Sequence, residues 1–122
     1  MASCGRLLIA EDEPLLRVSM ADALRKEGWT VDVAADGAKA VALFEEHHHE
    51  VVLTDLVMPV GLNGQELAAK FGFTKPDLKV VYISGYSRDV AGRNLDAHDG
   101  HFLEKPFDAR TLARTVRECL DR

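Results

Sequence analysis

The sequence predicts an α/β fold in which helices cover both faces of a five-stranded parallel sheet. Two observations lead to this prediction. Short apolar runs, which are typical of buried strands, alternate along the chain with longer stretches in which apolar residues recur at helical spacing. Strands that alternate with helices pair in parallel, because each helix carries the chain back across a face of the sheet. The 122 residues suffice for one domain, 1–122, with a core of its own.

The first strand–helix unit extends from Arg6 to Gly28. The apolar run 6–10 predicts a buried strand, and three acids follow it directly. Pro14 suits the first position of a helix, and Gly28 is a typical helix stop. Between these two residues the apolar side chains recur at helical spacing: Leu15, Leu16, Met20, Ala23 and Leu24.

The second unit begins with residues 30–34, where polar and apolar residues alternate. This pattern indicates a strand, and we place it at the edge of the sheet. Asp36 is expected to cap a second helix, which His47, His48 and His49 close. Because adjacent residues on a helix point about 100° apart, three cannot readily chelate one ion, and we expect a solvated helix end. The predicted inward face of this helix contains Ala40, Val41 and Phe44.

The central strand is the run 51–55, which is apolar up to Thr54 and ends in Asp55. An apolar run without alternation, bounded by turn signals, predicts a strand that is buried on both faces. A loop with two glycines, 59–64, leads to a third helix predicted over 65–73. Its apolar residues are Leu67, Ala68 and Phe71.

Two further units complete the chain. A strand is predicted over 79–84, followed by a weak helix over 88–95. This helix is poor in large apolar residues and contains Gly92, so we expect it to be mobile. A short strand over 101–104 precedes a last helix, which Asp108 caps. The predicted inward residues of that helix are Leu112, Val116 and Leu120.

Composition argues against several classes of function. The formal net charge of −5 disfavours a nucleic-acid-binding surface, which needs clustered Lys and Arg. Cys4 and Cys119 lie near opposite ends and in no metal-ligand spacing, so we expect reduced thiols in a cytoplasmic chain. No apolar stretch approaches the length of a membrane span, and no signal peptide is visible. We therefore expect neither nucleic acid nor membrane as a partner.

Charged and hydroxyl side chains follow four of the predicted strands. Glu11 and Asp12 follow the first strand, Asp55 ends the third, Ser84 ends the fourth, and Lys105 follows the fifth. In a parallel sheet these ends meet at one edge, where ligands bind. Three close carboxylates repel one another unless a cation lies among them, and all-oxygen ligands favour Mg²⁺. A lysine beside such a site suits a phosphoryl oxygen.

These residues lie in segments that resemble a response-regulator receiver domain of two-component signalling. The matching segments are LLIAEDEP, DLVMP with the following NG, VVYISGYS and FLEKPF, and they are spread over residues 6–121. The resemblance implies the flavodoxin-like (βα)5 receiver fold. The ISGYS and FLEKPF segments are similar to receivers attached to hybrid sensor histidine kinases. We therefore expect either a stand-alone receiver or a piece of a longer chain.

The resemblance also implies the chemistry of the site. Asp55 accepts a phosphoryl group from a phosphohistidine of a sensor histidine kinase or phosphotransfer domain, and Lys105 binds a phosphoryl oxygen. The Mg²⁺ ligands are Glu11, Asp12, Asp55 and the backbone carbonyl of Val57. A carboxylate nucleophile forms a labile acyl phosphate, while the metal and the lysine neutralise charge on the transferring group.

The same resemblance implies a switch. Ser84 contacts the phosphoryl group, and Phe102 is the aromatic residue whose rotation reports phosphorylation. The output surface is expected to consist of the helix 88–95, the strand 101–104 and the last helix. The peptide bond between Lys105 and Pro106 is expected to be cis, which an X-Pro bond adopts at small cost.

Three features depart from the common receiver pattern. The first acid is Glu11, where the family more often has Asp, and the loop 59–64 is one residue longer than the commonest form. Phe102 has no hydroxyl group to hydrogen-bond when it turns inward. The longer arm of Glu11 still reaches a metal, if necessary through a water molecule. None of these departures removes a catalytic group.

Three other functions compete with the receiver. A haloacid-dehalogenase-type Mg²⁺-dependent phosphatase also uses an aspartate nucleophile, but it has an Asp-x-Asp pattern after the first strand, where this chain has Glu11 and Asp12. A flavodoxin-like cofactor binder needs a hydroxyl- and Gly-rich loop after the first strand. This chain has acids at that place, and they would repel a phosphate. A phosphorylation-incompetent receiver, acting only as an interaction module, is opposed by the presence of Asp55, Ser84 and Lys105.

Overall fold

Five parallel strands form one sheet in the order β2-β1-β3-β4-β5, as the computed structural model shows for residues 5–56, 63–84 and 101–120. The neighbouring strands pair in parallel throughout. The prediction of a five-stranded parallel sheet is therefore confirmed, and β2 lies at an edge as its alternating pattern indicated. The strands are β1 Gly5–Ala10, β2 Trp29–Ala34, β3 Val51–Asp55, β4 Lys79–Ser84 and β5 His101–Glu104.

The described helices cover both faces of this sheet. Because side chains alternate along a strand, β1 directs Leu7 and Ile9 to one face and Leu8 and Ala10 to the other. The first face packs against α1 and the last described helix, and the second packs against α2 and α3. These helices are α1 Pro14–Lys26, α2 Gly37–Glu46, α3 Gly64–Thr74 and α4 Ala109–Leu120.

Side-chain caps fix where three of the helices begin. Asp36 accepts a hydrogen bond from the Lys39 backbone N–H at 2.9 Å, and Asp108 accepts one from the Thr111 N–H at 2.7 Å. Asn63 forms a reciprocal capping box with Glu66 at the start of α3. The caps predicted at Asp36 and Asp108 are confirmed, and each satisfies a backbone donor that the first helical turn leaves unpaired.

The helical faces differ from the sequence pattern at two leucines. Leu15 belongs to the apolar pattern of α1 but is 83% exposed, and Leu120 was predicted to face inward but is 38% exposed. Both lie near a helix end, Leu15 in the first turn of α1 and Leu120 in the last turn of α4. The predicted helix 88–95, and with it the expected mobility, lies outside the described residues.

The expectation of a solvated histidine cluster at the end of α2 is wrong for His49. The helix ends at Glu46, and the backbone at His47 is extended, with φ −130° and ψ 164°. His48 is exposed, whereas His49 is fully buried and stacks on Phe44 with 5.7 Å between the ring centroids. An extended backbone alternates its side chains, and this allows His49 to turn inward where a continued helix would not.

Buried His49 belongs to a polar cluster with Arg6 and Asp32, which are both partly exposed. Its Nε2 lies 2.8 Å from Asp32 Oδ2, and the Arg6 guanidinium donates to the two Asp32 oxygens at 2.7 and 3.1 Å. The Arg6 hydrogen bonds lower the pKa of Asp32 to about 2. Burial lowers the pKa of His49 below its ordinary value, although Asp32 acts in the opposite direction. The neutral imidazole thus donates from Nε2 to a carboxylate that stays ionised.

No helix in the described ranges is long and apolar enough to span a lipid bilayer.

Acid is expected to destabilise the fold through this cluster. When the pH falls below the ordinary histidine pKa, the unfolded chain binds a proton that buried His49 resists, so the free energy of unfolding decreases. One such group changes that free energy by at most about 1.4 kcal/mol per pH unit. Asp32 adds a further loss at lower pH, between its ordinary pKa and its folded pKa of about 2.

Urea unfolding between pH 7.5 and 5 measures this effect, with His49→Gln and His48→Gln as a matched pair. Over the same range the raised pKa of Asp55, about 8, stabilises the fold on acidification, so the effect of His49 is measured as a difference between proteins. Relative to the His49→Gln variant, the wild-type chain and the His48→Gln variant should lose stability on acidification. The His49→Gln variant should start less stable, and its difference from wild type should shrink as the pH falls. Equal slopes in all three proteins would contradict the assignment of the linkage to His49.

Candidate functional site

The first acids of the site lie at the carboxyl end of β1. Glu11 is fully buried, and its backbone N–H donates to the Ala34 carbonyl of β2 at 3.0 Å. Its Oε2 accepts a hydrogen bond from the Glu13 backbone N–H at 3.0 Å. Its carbonyl oxygen accepts one from the Arg17 guanidinium of α1 at 2.9 Å. Glu11 is therefore held from three sides, whereas the neighbouring Asp12 is exposed.

Asp55 ends the buried central strand, and the chain around it is closely packed. The Leu56 N–H extends the pairing with β4 by donating to the Ile83 carbonyl at 3.0 Å, and Leu56 in turn accepts from the Gly64 N–H at 3.1 Å. A Cβ atom at residue 64 would overlap the Asp55 carbonyl oxygen, so this approach of α3 requires glycine. The Asp55 carboxylate itself is almost completely buried.

Lys105, in the segment after β5, brings an ammonium group into contact with two of these acids. Its backbone N–H donates to the Ser84 carbonyl at 2.8 Å, which fixes the start of the segment after β5. Its Nζ lies 3.3 Å from Asp55 Oδ1 and 3.4 Å from Glu11 Oε1. The Lys105–Pro106 peptide bond is cis, as the resemblance implied.

The three carboxylates of the site lie close together. Oxygens of Glu11, Asp12 and Asp55 all lie within 4.8 Å of one another. Burial, and then the neighbouring Glu11, raise the pKa of Asp55 to about 8. Burial lowers the pKa of Lys105, but the charges of Asp55 and Glu11 outweigh burial and raise it above its ordinary value. Without a cation, Asp55 therefore keeps its proton at neutral pH, and Lys105 keeps its charge.

The donor set fits a hard divalent cation. Glu11 Oε1 and Asp55 Oδ2 are buried and accept no hydrogen bond from any residue within the described ranges. A buried carboxylate oxygen without a hydrogen-bond donor is costly, and a cation among the three acids removes that cost. All the side-chain ligands on offer are oxygens, which Mg²⁺ prefers.

The sequence predicted most of the residues that meet at this edge of the sheet. Glu11, Asp12, Asp55 and Lys105 come together as expected, and Ser84 is buried at the carboxyl end of β4. Phe102 is half-buried and stacks on Tyr82 with 5.5 Å between the ring centroids. Val57, the predicted carbonyl ligand, lies outside the described residues.

Sequence reasoning missed the two residues that shape the surrounding backbone. Arg17 holds the Glu11 carbonyl, and Gly64 lets α3 pack against the end of β3. The pair Asn63-Gly64 is the sequence signal for Gly64. Asparagine is a preferred N-cap, and a glycine directly after it lets the start of the helix approach another backbone segment closely. No sequence signal indicates that a helix arginine donates to the preceding strand's terminal carbonyl.

Comparison with known proteins agrees with this geometry. Residues 7–117 match the family model of the response regulator receiver domain. The chain is 40% identical to the sensor kinase CckA of Brucella abortus over all of its own residues, but it spans only 13% of that kinase. It is 35% identical to the response regulator receiver protein CpdR of the same organism, covering 94% of this chain and 96% of CpdR.

A solved structure shows the same architecture. The response regulator protein TrrA of Thermotoga maritima, crystallised in complex with Mg²⁺-BeF, superposes with a TM-score of 0.82 at 28% identity. The match covers 94% of this chain and 98% of TrrA. The sheet order, the acidic cluster beside Lys105 and the family match over nearly the whole chain lead to one conclusion: this chain belongs to the receiver domain family of two-component response regulators.

Proposed function

We propose that Asp55 accepts a phosphoryl group from a phosphohistidine of a sensor histidine kinase or phosphotransfer domain, in a reaction that requires Mg²⁺. The observation that carries this proposal is the contact of one ammonium group with two acids. Lys105 Nζ lies within 3.4 Å of both Asp55 and Glu11, inside a cluster of three carboxylates. A site with this charge pattern suits a phosphoryl group, whose oxygens need cations on more than one side.

The proposed reaction exchanges one phosphorus bond for another. An Asp55 carboxylate oxygen attacks phosphorus, the bond from phosphorus to the histidine nitrogen breaks, and the donor imidazole keeps the electron pair of that bond. Bound Mg²⁺ supplies positive charge to the carboxylates and to the phosphoryl oxygens. Lys105 supplies a second positive charge from the segment after β5, and its raised pKa keeps it protonated.

The remaining predicted residues take supporting roles in this proposal. Asp12, Asp55 and the Val57 carbonyl hold the cation, and Glu11 contributes through Oε1, which accepts no hydrogen bond from the described residues. Ser84, buried at the end of β4, contacts the phosphoryl group once it is on Asp55. The chain turns over no external substrate beyond its phosphodonor, so it acts as a switch that phosphorylates and dephosphorylates itself. The donor is a cytoplasmic kinase or phosphotransfer domain.

An exposed apolar surface beside the site suits a partner helix. Leu15 is 83% and Val18 is 66% exposed, and both lie in the first half of α1, directly after the acids. Exposed large apolar residues next to a reactive group are typical of a recognition surface. One relative is named a sensor kinase, which agrees with a receiver that exchanges phosphoryl groups with a histidine kinase.

The switch is proposed to couple Ser84 to Phe102. Ser84 of β4 pairs with Glu104 of β5, and Phe102 of β5 pairs with Tyr82 of β4. Ser84 and Phe102 therefore belong to the same pair of strands. A phosphoryl group on Asp55 offers new acceptors to the Ser84 hydroxyl, and a movement of that hydroxyl leaves space beside β4. Phe102 is half-buried against Tyr82 and has no hydroxyl to desolvate. Burial of a fully exposed Phe ring is worth about 2 kcal/mol, so burial of the half that is still exposed is worth about 1 kcal/mol, which is enough to shift a two-state equilibrium.

Replacement of the acceptor tests the reaction. Asp55→Asn should abolish phosphorylation, because an amide is a far poorer nucleophile and metal ligand than a carboxylate. Mass spectrometry after incubation with acetyl phosphate and Mg²⁺ should show one added phosphoryl group on the wild-type chain and none on the variant. Asp77→Asn, which removes an exposed acid remote from the site, should behave like wild type. Hydroxylamine-labile phosphate on Asp55→Asn would refute the assignment of the acceptor.

The switch is tested by chemical shifts. Saturation with Mg²⁺ and beryllofluoride, a phosphoryl mimic, should change the amide shifts of residues 84–108 most strongly, because Ser84 begins that segment and Phe102 lies within it. Residues of α2 serve as the internal control and should change little. Changes confined to the loop after Asp55, with 84–108 unaffected, would show that the coupling does not exist.

A further inference from the structure

We infer that Arg17 is a positioning residue for the cation site, acting through the backbone of the loop between β1 and α1. This inference rests on the proposed function, since it concerns how the acids are presented to Mg²⁺. The observation behind it is the hydrogen bond from Arg17 Nη1 to the Glu11 carbonyl oxygen at 2.9 Å. Arg17 is half-buried and lies one helical turn inside α1.

The atom that Arg17 binds determines where Asp12 points. The Glu11 carbonyl belongs to the peptide group that joins Glu11 to Asp12, so a donor on this oxygen fixes the plane of that peptide. The other contacts of Glu11 do not fix the plane of that peptide. The Glu11 N–H belongs to the preceding peptide group and donates to the Ala34 carbonyl, and the side-chain Oε2 accepts from the Glu13 N–H. Asp12 is exposed and therefore depends on its backbone for its approach to Asp55.

Positioning and simple electrostatics predict opposite effects of removing Arg17. A guanidinium near three acids opposes the binding of a second cation, so loss of its charge alone would tighten Mg²⁺ binding. Loss of the hydrogen bond frees the Glu11–Asp12 peptide, which must then be ordered when the metal binds, and this weakens binding. The sign of the change in affinity therefore identifies which of the two roles Arg17 has.

Arg25 provides a matched control on the same helix. Its guanidinium also donates to a backbone carbonyl at 2.9 Å, but the acceptor is Val31 of β2, three residues before the end of that strand, and not a residue of the acidic loop. Arg17→Met and Arg25→Met therefore each remove one guanidinium–carbonyl hydrogen bond from α1. Their costs in folding stability should be similar, while only the first alters the acidic loop.

The experiment is a titration of each protein with MgCl2 alone, without phosphodonor, followed by calorimetry or by the amide shifts of residues 11–13. Arg17→Met should weaken Mg²⁺ binding on the order of tenfold, as removal of an outer-shell partner does in other metal sites. Arg17→Lys should recover most of that loss, because an ammonium group reaches the same carbonyl with one donor. Arg25→Met should bind Mg²⁺ like wild type, within about twofold, since it leaves the outer shell of the site intact.

The outcomes separate this inference from the proposed function. If wild type binds no Mg²⁺, or if Asp12→Ala binds it unchanged, the cation site itself is wrong. If Asp12→Ala loses affinity while Arg17→Met binds as tightly as wild type or more tightly, the site stands and the positioning role is refuted. Should Arg17→Met fail to fold, Arg17→Gln decides in the same way, because its shorter amide keeps polarity but cannot reach the carbonyl in the same geometry.

Discussion

The contact of Lys105 with two carboxylates is the interaction on which the site depends. Asp55 and Glu11 come from different strands and would repel each other if both were ionised, and the lysine ammonium lies within 3.4 Å of each. One ammonium group does not neutralise three acids. Burial of Asp55, and then the neighbouring Glu11, therefore outweigh Lys105 and raise the pKa of Asp55 to about 8. The buried oxygens Glu11 Oε1 and Asp55 Oδ2, which accept no hydrogen bond from the described residues, suit a further cation at this site.

Much of the fold and most of the site follow from the sequence for a physical reason. A buried parallel strand must be apolar, so the polar residue that ends it stands out, and parallel pairing brings such residues to one edge. Glu11, Asp55 and Lys105 are predictable on these grounds. Helix caps at Asp36 and Asp108 are equally local and were equally predictable.

The features that the sequence did not indicate depend on tertiary contacts. His49 was expected in solvent because the helix was extended through it, whereas the backbone becomes extended at His47 and buries the imidazole against Asp32. The inward position of His49 depends on ionised Asp32, which lies 17 residues away in the sequence. Arg17 is another example: its acceptor is a backbone oxygen, which no residue type encodes.

The central claim, that Asp55 is protonated until a cation binds beside it, is tested most directly by counting protons. Calorimetric titration with Mg²⁺ at pH 7, in two buffers with different heats of ionisation, gives the number of protons released per ion bound. With an Asp55 pKa of about 8, the account predicts the release of close to one proton per Mg²⁺, and almost none from Asp55→Asn. Tight Mg²⁺ binding by the wild-type chain without proton release would contradict it.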